Sequence, residues 1–241
     1  FSMKLIVASL LVNFVLSLRT SPWCKDKDSK ACASWASSGE CHKNPGFMKG
    51  HCMWSCDTCD GLDASEQRLG SERVVLNTKF GKITLAFFPE VAPRTARHIL
   101  KLFQLGCYDT NHFFRVDAGF VAQIQTVVGG QRVIPDSCDH AEAVLTVPLE
   151  ASKVRHTRGV LSMGRGESLD SGSSSFSLLL GDAPHLDEGY TVFGRVLDGD
   201  DALRKMESVP TKKQGIFVMP TERIEIIDTQ VLHVETDKLP F

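Results

Sequence analysis

An excess of charge of either sign is what this sequence lacks most plainly: 27 lysines and arginines stand against 29 aspartates and glutamates, a formal net charge of −2. A chain so balanced offers no electrostatic footprint for nucleic acid or for an anionic membrane surface. Its partners have to be read by shape and short contacts. Apolar runs long enough to span a bilayer are also missing. The stretch from Leu5 to Leu18 is interrupted by Ser9, Asn13 and Ser17, whereas a spanning helix needs about 20 apolar residues. Internal repeats and low-complexity tracts are absent, which sets aside solenoids and disordered linker proteins.

What stands at the N-terminus fits a different role. Lys4 precedes the apolar run, and a positive residue before about 7–15 apolar ones is the pattern of a secretory signal peptide. Residues 1–20 are therefore expected to be a signal, with Met3 as initiator and cleavage between Leu18 and Trp23. An uncleaved anchor through residues 4–18 is the alternative, and membrane contact is expected only in that case. Cysteine usage supports an oxidising address. Six of the eight cysteines, Cys24, Cys32, Cys41, Cys52, Cys56 and Cys59, crowd into residues 23–60, and a dense even set in a secreted chain reads as a disulfide framework. Zinc on Cys56 and Cys59 would strand the others and suits a cytosolic protein better. Spacing alone leaves about 15 pairings open. The C-terminal Lys238-Leu239-Pro240-Phe241 is no retrieval signal, so export is expected, with the endoplasmic reticulum lumen as the alternative.

Residues 61–71 are polar with glycines near both ends and read as a flexible linker. Residues 72–235 read as one domain of short strands. Val74–Thr78 and Lys82–Phe87 flank Phe80-Gly81, a hairpin signal. Pro93 opens a helix carrying Ile99, Leu102 and Phe103 on one face before Gly106. Further strands are expected at 112–116, 120–125, 159–163, 176–180, 190–196 and 223–234, with a second helix at Asp200–Glu207. Many strands and two helices point to a barrel or sandwich. Cys107 and Cys138 read as free buried thiols.

Four segments carry the chemistry: FFRVDAGFVAQ from Phe113, GVLSMGR from Gly159, SSSFSLLL from Ser173 and YTVFGRV from Tyr190. Taken singly, Arg115 is a surface charge and the phenylalanines are core. In this order and spacing, residues 72–235 resemble the cyclophilin family, and Met219–Ile224 resembles a divergent secretory subgroup of plants and algae. The resemblance implies a closed eight-stranded antiparallel barrel capped by two helices, with its active site in a surface groove. It implies Arg115 as the catalytic arginine and Gln123 as the anchor of the peptide backbone. Phe120, Val121, Phe176 and Leu186 match the walls of a proline pocket, His185 and Tyr190 match its rim, and Gly164, Arg165 and Ser175 match further substrate-binding positions. It implies peptidyl-prolyl cis–trans isomerase activity on proline-containing polypeptides, with no metal and no cofactor.

Such chemistry is physically accessible to these residues. An X-Pro bond turns slowly because amide resonance sets a barrier of about 18–20 kcal/mol. Catalysis needs only tighter binding of the twisted state, in which the prolyl nitrogen regains its lone pair. An always-charged guanidinium can donate to it. Departures from the family pattern matter: Ser175 replaces glutamine, Ser177 phenylalanine, Arg165 asparagine, Tyr190 histidine and His185 tryptophan, and one residue is inserted between Met163 and Phe176. They imply slow turnover and weak cyclosporin affinity, and they leave a proline-peptide-binding scaffold as the rival reading.

The cysteine-rich segment, spaced C-x7-C-x8-C-x10-C-x3-C-x2-C, resembles the ShK-type toxin domain. That resemblance implies the pairs Cys24–Cys59, Cys32–Cys52 and Cys41–Cys56 in a small helical module. Channel-blocking relatives carry a lysine–tyrosine pair where Gly46-Phe47 stands here, so a stable appendage that localises the enzyme or engages a protein partner is expected rather than channel block.

Overall fold

The computed structural model describes residues 24–59 and 61–235; the expected signal and its membrane alternative lie outside them. The chain divides into two compact units between Leu62 and Asp63.

Among the described residues the first unit has three short helices: α1 (Ser29–Ser37), α2 (Glu40–Lys43) and α3 (Pro45–His51). Asp28 caps α1 by accepting from the Lys30 and Ala31 amides, a contact worth about 0.5–2 kcal/mol. So short a segment cannot bury enough apolar surface to hold itself together. Disulfides supply the rest: Cys24–Cys59, Cys32–Cys52 and Cys41–Cys56, the pairing that the resemblance implied. Phe47 stacks on His51 at 4.1 Å and meets Trp35 edge-on at 5.6 Å.

In the second unit eight strands close into an antiparallel barrel in the order β1-β10-β3-β4-β6-β5-β7-β2. These are β1 (Glu72–Thr78), β2 (Gly81–Phe87), β3 (His112–Asp117), β4 (Val121–Ile124), β5 (Val160–Met163), β6 (Phe176–Leu179), β7 (Val192–Asp198) and β10 (Ile224–His233). β8 (Thr211–Gln214) and β9 (Phe217–Pro220) form a separate hairpin. Alternation along the strands sends Leu76, Leu85, Phe113, Ile124, Leu178 and Phe193 into a common core.

Helix α4 (Pro93–Gln104) buries Ala96, Ile99, Leu102 and Phe103. Its start is held by Glu150, whose carboxylate accepts from the Arg94 and Thr95 amides and the Thr95 hydroxyl, the favourable charge at a helix N-terminus. A single turn, α5 (His140–Ala143), lies in the long excursion after β4. Helix α6 (Asp200–Glu207) buries Ala202, Leu203 and Met206.

Two expectations need correction. Cys107 and Cys138 are bonded to each other, with Cα atoms 4.8 Å apart. Cys107 follows the end of α4, and the excursion after β4 folds back over that end. A sequence separation of 31 between the two cysteines hides the contact from a local reading. The polar stretch 61–71 is not a free linker along its length. Asp63 caps a turn of 3₁₀ helix at Ala64–Glu66. Ala64 is buried in a cluster with Phe88 and Val154, and Leu69 packs against that cluster.

Candidate active site

The pairing of four strands builds the site. Arg115 on β3 opposes Gln123 on β4, Gln123 opposes Ser177 on β6, and Ser177 opposes Ser162 on β5. Directly opposed residues share a face of the sheet, so these four make a polar row on the outer wall of the barrel. Two residues along each strand, Asp117, Val121 and Leu179 make the next row. Val121 and Leu179 belong to an outer apolar cluster against which Phe120 and Leu186 pack. A polar row beside an apolar hollow suits a ligand with one greasy ring and a peptide backbone.

Arg115 is the centre of the row. Its guanidinium lies 5.1 Å from the centre of the Phe120 ring and 5.7 Å from that of Phe217, and its side chain is 17% exposed. Nη2 donates to Asp117 Oδ2 at 3.1 Å, while Nε is buried with no hydrogen-bond partner. Two aromatic rings and one carboxylate thus flank the cation.

Gln123 is aimed by its neighbour. Its Nε2 donates to Ser175 Oγ at 3.2 Å, and that hydroxyl donates to the Ile124 carbonyl at 2.7 Å. The start of β6 is anchored by two buried rings: Tyr108 donates to the Ser174 carbonyl, and His98 Nε2 meets the Ser173 carbonyl, each at 2.8 Å. Burial pushes the Tyr108 phenol well above its ordinary value and lowers His98 below that of a free imidazole. Gly164 fits because a Cβ there would lie 2.8 Å from the Ser175 carbonyl and 3.3 Å from Gln123 Nε2.

The turn that presents Phe120 is fixed from behind. Phe120 N donates to the Asp117 carbonyl. Gly119, at φ +72°, donates to Glu207 Oε1 at 3.1 Å, and Arg158 pairs with the other Glu207 oxygen at 2.9 Å. On the far side His185 lies 5.2 Å from the Phe120 ring. Arg165 stacks over Tyr190 at 4.5 Å and donates from Nε to the Gly189 carbonyl.

Among the residues expected at the site, Arg115, Phe120, Val121, Gln123, Ser175, His185 and Leu186 are brought together. Gly164 lies beneath Gln123, and Arg165 and Tyr190 form a stacked pair. Phe176 does not join them. It opposes Ile124, so its side chain points inward, is fully buried and meets Tyr108 and Phe193 edge-on. It is barrel core, and Ser177 occupies the outward position. Two contributors escaped the sequence reading. Asp117 sits inside the motif itself. Phe217 belongs to the β8–β9 hairpin, whose signal was Gly215, at φ +61°, ahead of Ile216-Phe217-Val218.

The family described as cyclophilin type peptidyl-prolyl cis-trans isomerase/CLD matches residues 73–231. The chain belongs to the cyclophilin-type peptidyl-prolyl cis–trans isomerases. It is 54% identical over 164 residues to peptidyl-prolyl cis-trans isomerase CYP23 of Arabidopsis thaliana, a span of 68% of this chain and 73% of that one. It is 33% identical over 159 residues to a probable peptidyl-prolyl cis-trans isomerase of Brucella abortus, covering 63% and 80%. In fold it resembles a Cryptosporidium parvum cyclophilin, with a TM-score of 0.58 at 22% identity over 70% of this chain and 100% of that one. A structure of that protein in the presence of the dipeptide Ala-Pro gives a TM-score of 0.55 at 22% identity over 68% and 99%. The cyclophilin signature and the polar row of β3, β4, β6 and β5 coincide in this chain.

Proposed function

We propose that this cyclophilin turns X-Pro bonds in polypeptides passing through the secretory pathway. The observation that carries the reading is the placement of the Arg115 guanidinium over the Phe120 ring, on the strand directly opposite Gln123. A prolyl ring enters the hollow between Phe120, Val121 and Leu186. Gln123 holds the peptide carbonyl, and Arg115 donates to the prolyl nitrogen as it pyramidalises. That a related cyclophilin was crystallised in the presence of Ala-Pro supports a prolyl ligand. One well-aimed donor is worth about 2.7–4 kcal/mol at such a site.

The secretory address is supported by four disulfides, which persist in oxidising compartments, and by the apolar run after Lys4. The first unit is a ShK-type module that engages a protein partner. Its spacing, its pairing and the exposed Trp35 and Phe47 support that role. A second reading, a scaffold that grips proline without turning it, is favoured by one observation: Asp117 already occupies Arg115 Nη2.

Exchange spectroscopy on an Ala-Pro peptide with the full chain separates the two readings. Cis–trans exchange accelerated above the uncatalysed rate supports the enzyme. Binding without acceleration supports the scaffold. Mass measurement of the N-terminus of secreted protein, with residues before about Trp23 removed, tests the address.

A further inference from the structure

Most serine hydroxyls around the groove are committed. Ser174 Oγ accepts from the Val127 amide, Ser175 Oγ bonds the Ile124 carbonyl and Gln123, and Ser162 Oγ meets His156 Nε2 at 2.9 Å. Ser177 differs. Among the described residues no group takes up its hydroxyl, although it sits in the polar row between Gln123 and Ser162 and is 9% exposed. It stands where the resemblance leads one to expect a phenylalanine, so an aromatic wall has been exchanged for a hydroxyl and the space beside it.

The neighbour of Ser177 is poised to complete a polar floor. His156 is buried, and its Nδ1 faces Asp187 Oδ1 at 2.9 Å. An ionised carboxylate can only accept, so the Nδ1 proton points to Asp187, and in the neutral imidazole Nε2 accepts from the Ser162 hydroxyl. The Ser162 oxygen then keeps its lone pairs free on the face it shares with Ser177. One free hydroxyl and one free acceptor lie in the polar row beside the apolar cluster of Val121, Leu179 and Phe120.

A plain pyrrolidine ring leaves these polar atoms unmatched, and covering a polar group without a partner is costly. A ring that carries its own hydroxyl matches them. We propose that Ser177, seconded by Ser162, makes this pocket select 4-hydroxyproline over unmodified proline in its clients. The proposal deepens the isomerase reading and rests on it for the position of the ring. Arg115 and Gln123 act on the backbone, which is the same in both residues, so the preference lies in the ring contacts alone.

The test uses the full chain and two matched peptides that differ only in proline or (4R)-hydroxyproline at the isomerising position. Rates come from exchange spectroscopy, each corrected for its uncatalysed rate. The wild type is expected to favour the hydroxylated peptide in kcat/KM by about tenfold, the scale of one net hydrogen bond. Ser177→Ala is expected to bring the ratio to about one, and Ser177→Phe to favour the unmodified ring. A wild-type ratio of one or below overturns the proposal and needs no variant, as does a preference that survives Ser177→Ala. If neither peptide is accelerated, the isomerase reading fails, and titration of the two peptides still decides the ring preference.

Discussion

Asp117 and the incoming prolyl nitrogen compete for the same guanidinium, and the outcome of removing the carboxylate can be estimated. The Arg115–Asp117 contact is 3.1 Å, with side chains 17% and 33% exposed. Ion pairs open to solvent are worth about 0.2–1 kcal/mol, and the upper part of that range suits a pair sheltered between two rings. Breaking it before each turnover therefore costs at most about 1 kcal/mol, or about fivefold in rate. Asp117→Ala should raise kcat/KM for an Ala-Pro peptide by up to about fivefold. Phe120 and Phe217 should keep the guanidinium in place without its partner. The gain should shrink as salt is added, because the wild-type pair is itself screened. Exchange spectroscopy at two ionic strengths reads both effects. A tenfold fall in Asp117→Ala would refute the reasoning, since it would mean that the carboxylate aims the guanidinium rather than occupying it.

Other outcomes follow from the supports of the groove. Glu207→Ala removes the acceptor of the Gly119 amide and the partner of Arg158, so KM should rise several-fold and Tm should fall. A rise in KM no greater than that of an exposed control such as Glu222→Ala would contradict this. Joining Cys107 to Cys138 closes a 31-residue separation, which on loop entropy stabilises by about 3–4 kcal/mol. The Cys107→Ala/Cys138→Ala double variant should melt well below the wild type, and an unchanged Tm would speak against the bond. Burial lowers the pKa of both His98 and His112 from the ordinary 6.5. Each ring binds its proton less readily folded than unfolded, so the unfolded chain gains more protons as pH falls below about 6.5, and stability falls with it. Urea midpoints across pH 7.5 to 5 should decline, and the decline should be smaller in His98→Gln.

The sequence displayed the fold more fully than the site. Pro93–Gln104 and Asp200–Glu207 were legible because proline or acidic residues open them and one apolar face runs their length. The strands showed as short apolar runs between turn residues. Strand phase was harder to read. Only the register Gln123↔Ser177 decides that Phe176 faces the core while Ser177 faces the groove. The hairpin bearing Phe217 escaped because its first strand, Thr211–Gln214, is fully exposed and polar, so no buried face imprinted a pattern on it. The Cys107–Cys138 bond escaped for another reason: tertiary folding of the excursion creates it, and nothing local marks it. Asp117 was in plain view, but the expected strand ended at Val116; once the strand runs on to Asp117, residues 115 and 117 share a face.

The central claim is that Arg115 does the chemistry while the hollow merely holds the ring. Comparing kcat/KM of wild type, Arg115→Lys and Arg115→Ala on one Ala-Pro peptide, with peptide affinity measured in parallel, tests it most directly. The account predicts a loss of about 10²–10³ in Arg115→Ala, a large loss in Arg115→Lys because a point charge lacks the planar fork of donors, and affinities within a few-fold of wild type. Undiminished turnover in Arg115→Ala would contradict it.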